Sequence, residues 1–360
     1  MLVANKHILA VKPYIPGKPI EDVKRELGLK SVIKLASNEN PYSPSPKVLT
    51  AMHKAALSVN RYPDGGCVVL RKAVAKHLKV NEDQLIFGNG SDEIIVLAVK
   101  AFVKEGDEVI IAKPSFLIYN IASTLAGAKI HEVPLKDFQY DIPAMKAKLS
   151  KRTKIVFIGN PDNPSGTYVP AKALEDLIKA ASKETLIFID EAYFEYVRAT
   201  DYPDGIALMA KYPNVMVTRT FSKMYGLAGL RVGYGVANIN IIDILNRLRE
   251  PFNVNSVAQA AAVAVLQDKA YYQRIAKDVE EQRQYIYRSL TELAITYQRS
   301  FTNFILVQVG KDSTKVATAL LKQGVIIRDM AVWGLTGYIR VSIGSPSENK
   351  RFIKTLARIV

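Results

Sequence analysis

Short apolar runs rich in β-branched residues recur through the middle of the chain. Longer stretches separate them, in which apolar positions return every three or four residues. The runs predict strands at Leu85–Phe87, Val109–Ala112, Ile130–Val133, Ile155–Ile158, Leu186–Ile189, Val215–Thr218 and Val232–Val236. Between them, Ser91–Lys104 and Ala171–Ser182 carry the amphipathic period of helices. Strands and helices in alternation predict an α/β fold, a three-layer α/β/α arrangement around a mostly parallel sheet. After Pro251 the texture changes. A long helical pattern, apolar at Ile275, Val279, Ile286, Leu290 and Leu293, leads to strands at Phe304–Val309, Val325–Arg328 and Tyr338–Ile343, and a last helix follows Pro346. This reads as a smaller α+β unit. The expected division is an N-terminal arm over residues 1–35, a large domain over 36–250 and a small C-terminal domain over 251–360.

Composition removes several classes. With 360 residues, 49% hydrophobic and 23% charged, the chain has room for about two domains, and it is neither disordered nor fibrous. The longest nearly apolar run, Val257–Leu266, contains Gln259 and is far short of the ~20 residues of a membrane span. Lys12 and Pro13 cut off the brief apolar stretch after His7, so no signal peptide is expected. A single cysteine, Cys67, excludes an internal disulfide and suits a reducing cytoplasm. The four histidines are scattered, and no metal site is expected. The net charge of +15 attracts anions. No basic stripe or reader motif accompanies it: Lys146 to Lys154 alternates with apolar residues. A small phosphorylated or carboxylated substrate accounts for the sign as well as nucleic acid would.

Four segments carry candidate chemistry. Gly88-Asn89-Gly90-Ser91-Asp92-Glu93 follows a strand and opens a helix, where free N–H groups suit a phosphate. Taken alone it is equally a strand-to-helix turn with Ser91 or Asp92 as its N-cap. It is neither a dinucleotide fingerprint nor a P-loop, since Glu93 takes the third glycine position and no Gly-Lys-Ser/Thr follows. Asn160 to Gly166, a loop with two prolines, offers the Asn163 amide at a strand's carboxyl end, where open α/β sheets bind ligands. Asp190 closes a very apolar strand and needs a cationic partner, unless it is a helix cap; Tyr193 adds a phenol nearby. Thr220-Phe221-Ser222-Lys223, followed by Gly226, Gly229 and Arg231, gathers hydroxyls, an amine and a guanidinium. All four segments follow strands predicted to be parallel, so they converge on one edge of one sheet. Together a phosphate cup, a strand-end Asp, an amide, a phenol and a lysine are the parts that hold pyridoxal phosphate.

On these residues the chain resembles the fold-type-I aminotransferases, and most closely the histidinol-phosphate aminotransferases. The resemblance runs from Pro13-Tyr14 and Leu35-Ala36-Ser37-Asn38-Glu39-Asn40-Pro41 through Arg61-Tyr62-Pro63-Asp64-Gly65 and the four segments above. It ends at Ile339-Arg340-Val341-Ser342-Ile343-Gly344. It implies an aspartate-aminotransferase-like fold and pyridoxal 5'-phosphate as cofactor. It implies that Lys223 attaches the cofactor covalently and shuttles a proton, and that Asp190 pairs with the ring nitrogen. Tyr193 and Asn163 would bond the ring oxygen, with Phe116 stacked where many relatives have Tyr. Gly90, Ser91, Asp92, Thr220, Ser222 and Arg231 would hold the phosphate, with Tyr62 reaching in from the second subunit of a homodimer. Arg340 would clamp a carboxylate, aided by Tyr14, Asn38 and Arg328. The implied reaction converts L-histidinol phosphate and 2-oxoglutarate to imidazole-acetol phosphate and L-glutamate, a step of histidine biosynthesis. Aromatic amino-acid aminotransferases and threonine-phosphate decarboxylases share the fold and are the alternatives. The intact Lys223 and Asp190 argue against a nucleic-acid-binding protein built on it.

Overall fold

The apolar runs pair into a seven-stranded sheet in the computed structural model, which describes residues 3–4, 6–11, 13 and 17–360. Its strands are β1 (Leu85–Gly88), β2 (Glu108–Lys113), β3 (Lys129–Pro134), β4 (Thr153–Gly159), β5 (Leu186–Asp190), β6 (Val215–Thr220) and β7 (Gly233–Ala237). Their order is β1-β7-β6-β5-β4-β2-β3. β7 is antiparallel to both its neighbours, β1 and β6. The remaining pairs are parallel, so β1 points the same way as β6 despite the strand between them.

The sheet is buried on both faces, which is why its central strands read as continuous apolar runs rather than alternating ones. Along β4, Ile155 and Phe157 enter one core with Ile94, Ala98 and Tyr119. Val156 and Ile158 enter the other with Leu174, Leu177 and Ile178. The helices Ser91–Phe102 and Leu117–Leu125 thus cover one face and Ala171–Ala180 the other, giving the three layers.

The C-terminal strands form a separate antiparallel sheet in which Tyr338–Ser342 lies between Arg328–Asp329 and Phe304–Gln308. The single strand expected over Val325–Arg328 is two. Val325–Ile326 pairs in parallel with Ile33–Lys34 near the chain's start, and only after Ile327 does the backbone join the second sheet. Two different partners compete for one apolar run, and the change of partner breaks it. Among the described residues no helix is long and apolar enough to cross a membrane.

Opposite the carboxyl edge of the large sheet, Glu108 opens β2 in a buried position. It accepts from Ser150 Oγ at 2.7 Å and Arg152 Nη2 at 2.9 Å, with His131 Nε2 at 3.3 Å. The Ser150 hydroxyl, then His131 and Arg152, hold its carboxyl down to about 2 against the opposing effect of burial. A carboxylate lowered in the folded state adds stability above its unfolded value, near 4.5 here, and loses it as pH falls toward 2. Glu108→Gln is therefore expected to lower the melting temperature by about 2–4 °C near neutral pH. The gap to the parent should narrow as the pH falls below 4.5, which thermal melts at neutral and acid pH will show.

Candidate active site

Five loops leave the carboxyl ends of β1, β2, β4, β5 and β6 and enclose a cavity of about 480 Å³. Asn38, Gly90, Ser91, Asp92, Phe116, Asn163, Asp190, Tyr193, Thr220, Ser222, Lys223, Arg231, Arg328 and Arg340 all line it. Tyr62 does not; it is 83% exposed and its ring stacks on Phe252 at 4.7 Å. Tyr14 falls outside the described residues.

One end of the cavity is a cup of donors. The expected side-chain cap is absent: Gly90 takes the cap position at φ 81°, no side chain caps the helix, and Ser91 and Asp92 belong to its first turn. A side chain at Gly90 would lie 2.5 Å from Arg231 Nη2. Gly88 and Thr220 flank the same residue, Gly233, on which a Cβ would lie only 2.6 Å from the Ser91 nitrogen. Ser91, Thr220 and Ser222 bring buried hydroxyls, and Arg231 reaches Asp92 at 3.3 Å. Uncapped N–H groups, hydroxyls and a guanidinium around a space that only glycine leaves open suit a phosphate.

Asp190 sits 5% exposed at the end of β5. Tyr119 Oη donates to its Oδ2 at 2.7 Å, and the Ala192 N–H donates to its Oδ1 at 3.2 Å. Burial pushes its carboxyl up to about 6, opposed by the Tyr119 hydrogen bond, the Ala192 amide and the Lys223 charge. The Lys223 ammonium lies 5.7 Å from the centre of the Tyr193 ring.

Asn38 lines the cavity and is also bound from within the protein. It is buried, its Nδ2 donates to the Tyr193 hydroxyl at 3.0 Å, and its N–H donates to Ser342 Oγ at 2.8 Å. It fixes the phenol. Arg340 Nη1 donates to Asn163 Oδ1, its Nη2 donates to the Ala36 carbonyl, and its guanidinium lies over Phe304. Arg328 lies 5.4 Å from the Trp333 ring and pairs directly across the small sheet with Arg340.

Sequence reading missed Tyr119, Trp333 and the buried Arg219–Glu191 pair at 2.8 Å, which joins β6 to the residue after Asp190. A signal existed for two of these. Tyr119 follows Phe116 by one helical turn, and Glu191 and Arg219 are charges at the ends of apolar strands.

The model of the family described as aminotransferase class I and II matches residues 30–356. A histidinol-phosphate aminotransferase of Moorella thermoacetica is 46% identical over 98% of this chain and 92% of its own length. A second, from Carboxydothermus hydrogenoformans, is 42% identical over 99% of both chains. Among solved structures, the histidinol-phosphate aminotransferase of Sinorhizobium meliloti in complex with pyridoxal-5'-phosphate superposes with a TM-score of 0.91 at 28% identity, covering 99% of this chain and 97% of its own. The aspartate aminotransferase of Thermus thermophilus bound to maleate shares the fold, with a TM-score of 0.86 at 20% identity over the full length of both chains. The convergent loops, their strand order and nearly the whole length of the chain thus agree with one assignment: this chain belongs to the class I and II aminotransferases and, within them, to the histidinol-phosphate aminotransferase family.

Proposed function

We propose that this chain is a pyridoxal-phosphate-dependent transaminase that takes the amino group of L-histidinol phosphate, passes it to 2-oxoglutarate, and so releases imidazole-acetol phosphate and L-glutamate. The observation that carries the substrate is the pair Arg328 and Arg340. They stand opposite one another on the small sheet. Both line the cavity that holds Lys223 and Asp190, so two guanidinium groups are placed there to receive an anionic substrate group.

Bound in the cavity, the cofactor supplies an electron sink that lets the substrate's Cα–H bond release its proton. The rest is done by the chain. The cup of Gly90, Ser91, Asp92, Thr220, Ser222 and Arg231 anchors the phosphate. Lys223 Nζ would be the amine that attaches the cofactor and, when free, the base that takes up the Cα proton. Asp190 would keep the ring nitrogen protonated through its negative charge, and Phe116 would offer its ring as a stacking surface. Asn163 and the Tyr193 hydroxyl, the latter steadied by Asn38, bond the ring oxygen. Arg340 is immobilised by Asn163, Ala36 and Phe304 and offers a fixed fork to a carboxylate or phosphate, with Arg328 completing the clamp.

The active form is read as a cytoplasmic homodimer. Tyr62 stands exposed beside Phe252, with Leu57, Val59, Val68 and Val69 also exposed nearby in the sequence, as side chains awaiting a second copy would be.

Three outcomes follow. Lys223→Ala should lose more than about a thousandfold in turnover while melting like the parent; residual transamination near the parental rate refutes its role. Gly90→Ala should bind pyridoxal phosphate about tenfold or more weakly, since Cβ and the phosphate compete for one space and φ 81° strains alanine. Titration of the visible band of the bound cofactor measures this. Histidinol phosphate should bleach that band at lower concentration than phenylalanine does. The reverse order assigns the enzyme to the aromatic branch, which the indole of Trp333 in the cavity would suit.

A further inference from the structure

Tyr119 is not among the residues that the phosphate cup, the amine or the arginines account for, yet it is the strongest partner of Asp190. It is 1% exposed, and its ring position is determined twice over. It stacks on Phe157 with centroids 4.6 Å apart and planes 6° apart, and meets Phe116 edge-on at 5.6 Å. Phe116 caps the helix Leu117–Leu125 and Tyr119 lies in its first turn, so one rigid turn carries both aromatic rings. These packing contacts need only the ring. The hydroxyl has one task, the 2.7 Å hydrogen bond to Asp190 Oδ2.

That task has an electrostatic value. Asp190 is buried at the end of an apolar strand, and the groups acting on it are the Tyr119 hydroxyl, the Ala192 amide, and the charges of Asp92 and Lys223. Burial works against its charged form, and the Tyr119 hydrogen bond is the largest effect in favour of it. Burial, and then Asp190 itself, push the phenol well above its ordinary range, so Tyr119 acts as a donor throughout the physiological range. We infer that Tyr119 is a positioning residue: its hydroxyl holds the Asp190 carboxylate, oriented and anionic, for the ring nitrogen of pyridoxal phosphate, while the same helical turn sets Phe116 against the ring. This rests on the reading of Asp190 as the partner of that nitrogen.

The test is a double-mutant cycle with Tyr119→Phe, Asp190→Asn and both together. Phenylalanine keeps both ring contacts and removes only the donor. Cofactor affinity is read by titrating pyridoxal phosphate into each cofactor-depleted protein and following the emission of Trp333, the only tryptophan in the chain and a residue of the same cavity. Turnover and donor KM are measured on the reloaded enzymes. Tyr119→Phe is expected to weaken cofactor binding about tenfold and to lower kcat with donor KM unchanged. In the Asp190→Asn background it should have no further effect, because the hydroxyl acts through that carboxylate. Losses that add in the double variant, or a Tyr119→Phe protein that fails to fold, would make the hydroxyl a structural brace and overturn the proposal. An impaired Asp190→Asn beside a silent Tyr119→Phe overturns it alone. An Asp190→Asn enzyme that behaves as the parent overturns the reading of Asp190 and this proposal with it.

Discussion

A carboxylate at the end of a strand buried on both faces has lost its water, and leaving it as an isolated ion there costs several kcal/mol. Two such groups stand side by side at the end of β5, Asp190 and Glu191. Their surroundings solve the problem in different ways. Asp190 receives a phenol and an amide and turns toward the cavity that also holds Lys223. Glu191 is joined to Arg219 at 2.8 Å, and that guanidinium lies 3.6 Å from the centre of the Phe194 ring. β5 and β6 are neighbours with Asp190 opposite Thr218. The ion pair therefore ties the strand that ends in the acid to the strand that leads to the amine. Strand pairing, reinforced by a buried charge pair, thus sets the distance from Asp190 to the end of β6, and Lys223 follows three residues beyond that end.

Across the cavity the same physics runs with the sign reversed. Arg328 and Arg340 oppose each other on the small sheet, and each is restrained by an aromatic face. Arg340 is the more firmly held, through Asn163 and the Ala36 carbonyl. The loop that presents Asn163 is itself rigid. Asp162 is buried beneath it and accepts from the Ser165 N–H and hydroxyl and from Tyr140, whose oxygen in turn accepts from the Gly159 N–H. Burial pushes the Asp162 carboxyl up to about 6, the hydrogen bonds from Ser165 and Tyr140 opposing it. A fixed cation on one wall and a fixed anion on the other leave a bound molecule little choice of orientation, which is what selective proton removal at one carbon needs.

Much of this was legible in the chain. The apolar runs located every strand of the large sheet; the central strands are buried on both faces and so are apolar at consecutive positions, whereas β3 at the edge is largely exposed and mixes Lys129, His131 and Glu132 with its apolar residues. Parallel alternation then carried the four chemical segments to one edge. The misreadings have physical causes too. Ser91 and Asp92 have the side chains of N-caps, but the close approach of Gly233 and Arg231 requires glycine at the cap itself. Val325–Arg328 has the composition of one strand, and its division reflects two partners that are remote in sequence.

Periodicity and residue type are local, so layers, strand direction and the inventory of donors, acids and amine follow from the order of amino acids alone. Which of those groups touch is not local. Tyr119 meets Asp190 across 71 positions, and Asn38 meets Ser342 across 304. In the chain Tyr119 is one more aromatic on a helix, Asn38 one more polar residue in an N-terminal stretch. Only strand register and helix packing decide that the one steadies the acid and the other fixes the Tyr193 phenol. Such contacts depend on angstrom-scale distances that no single segment specifies.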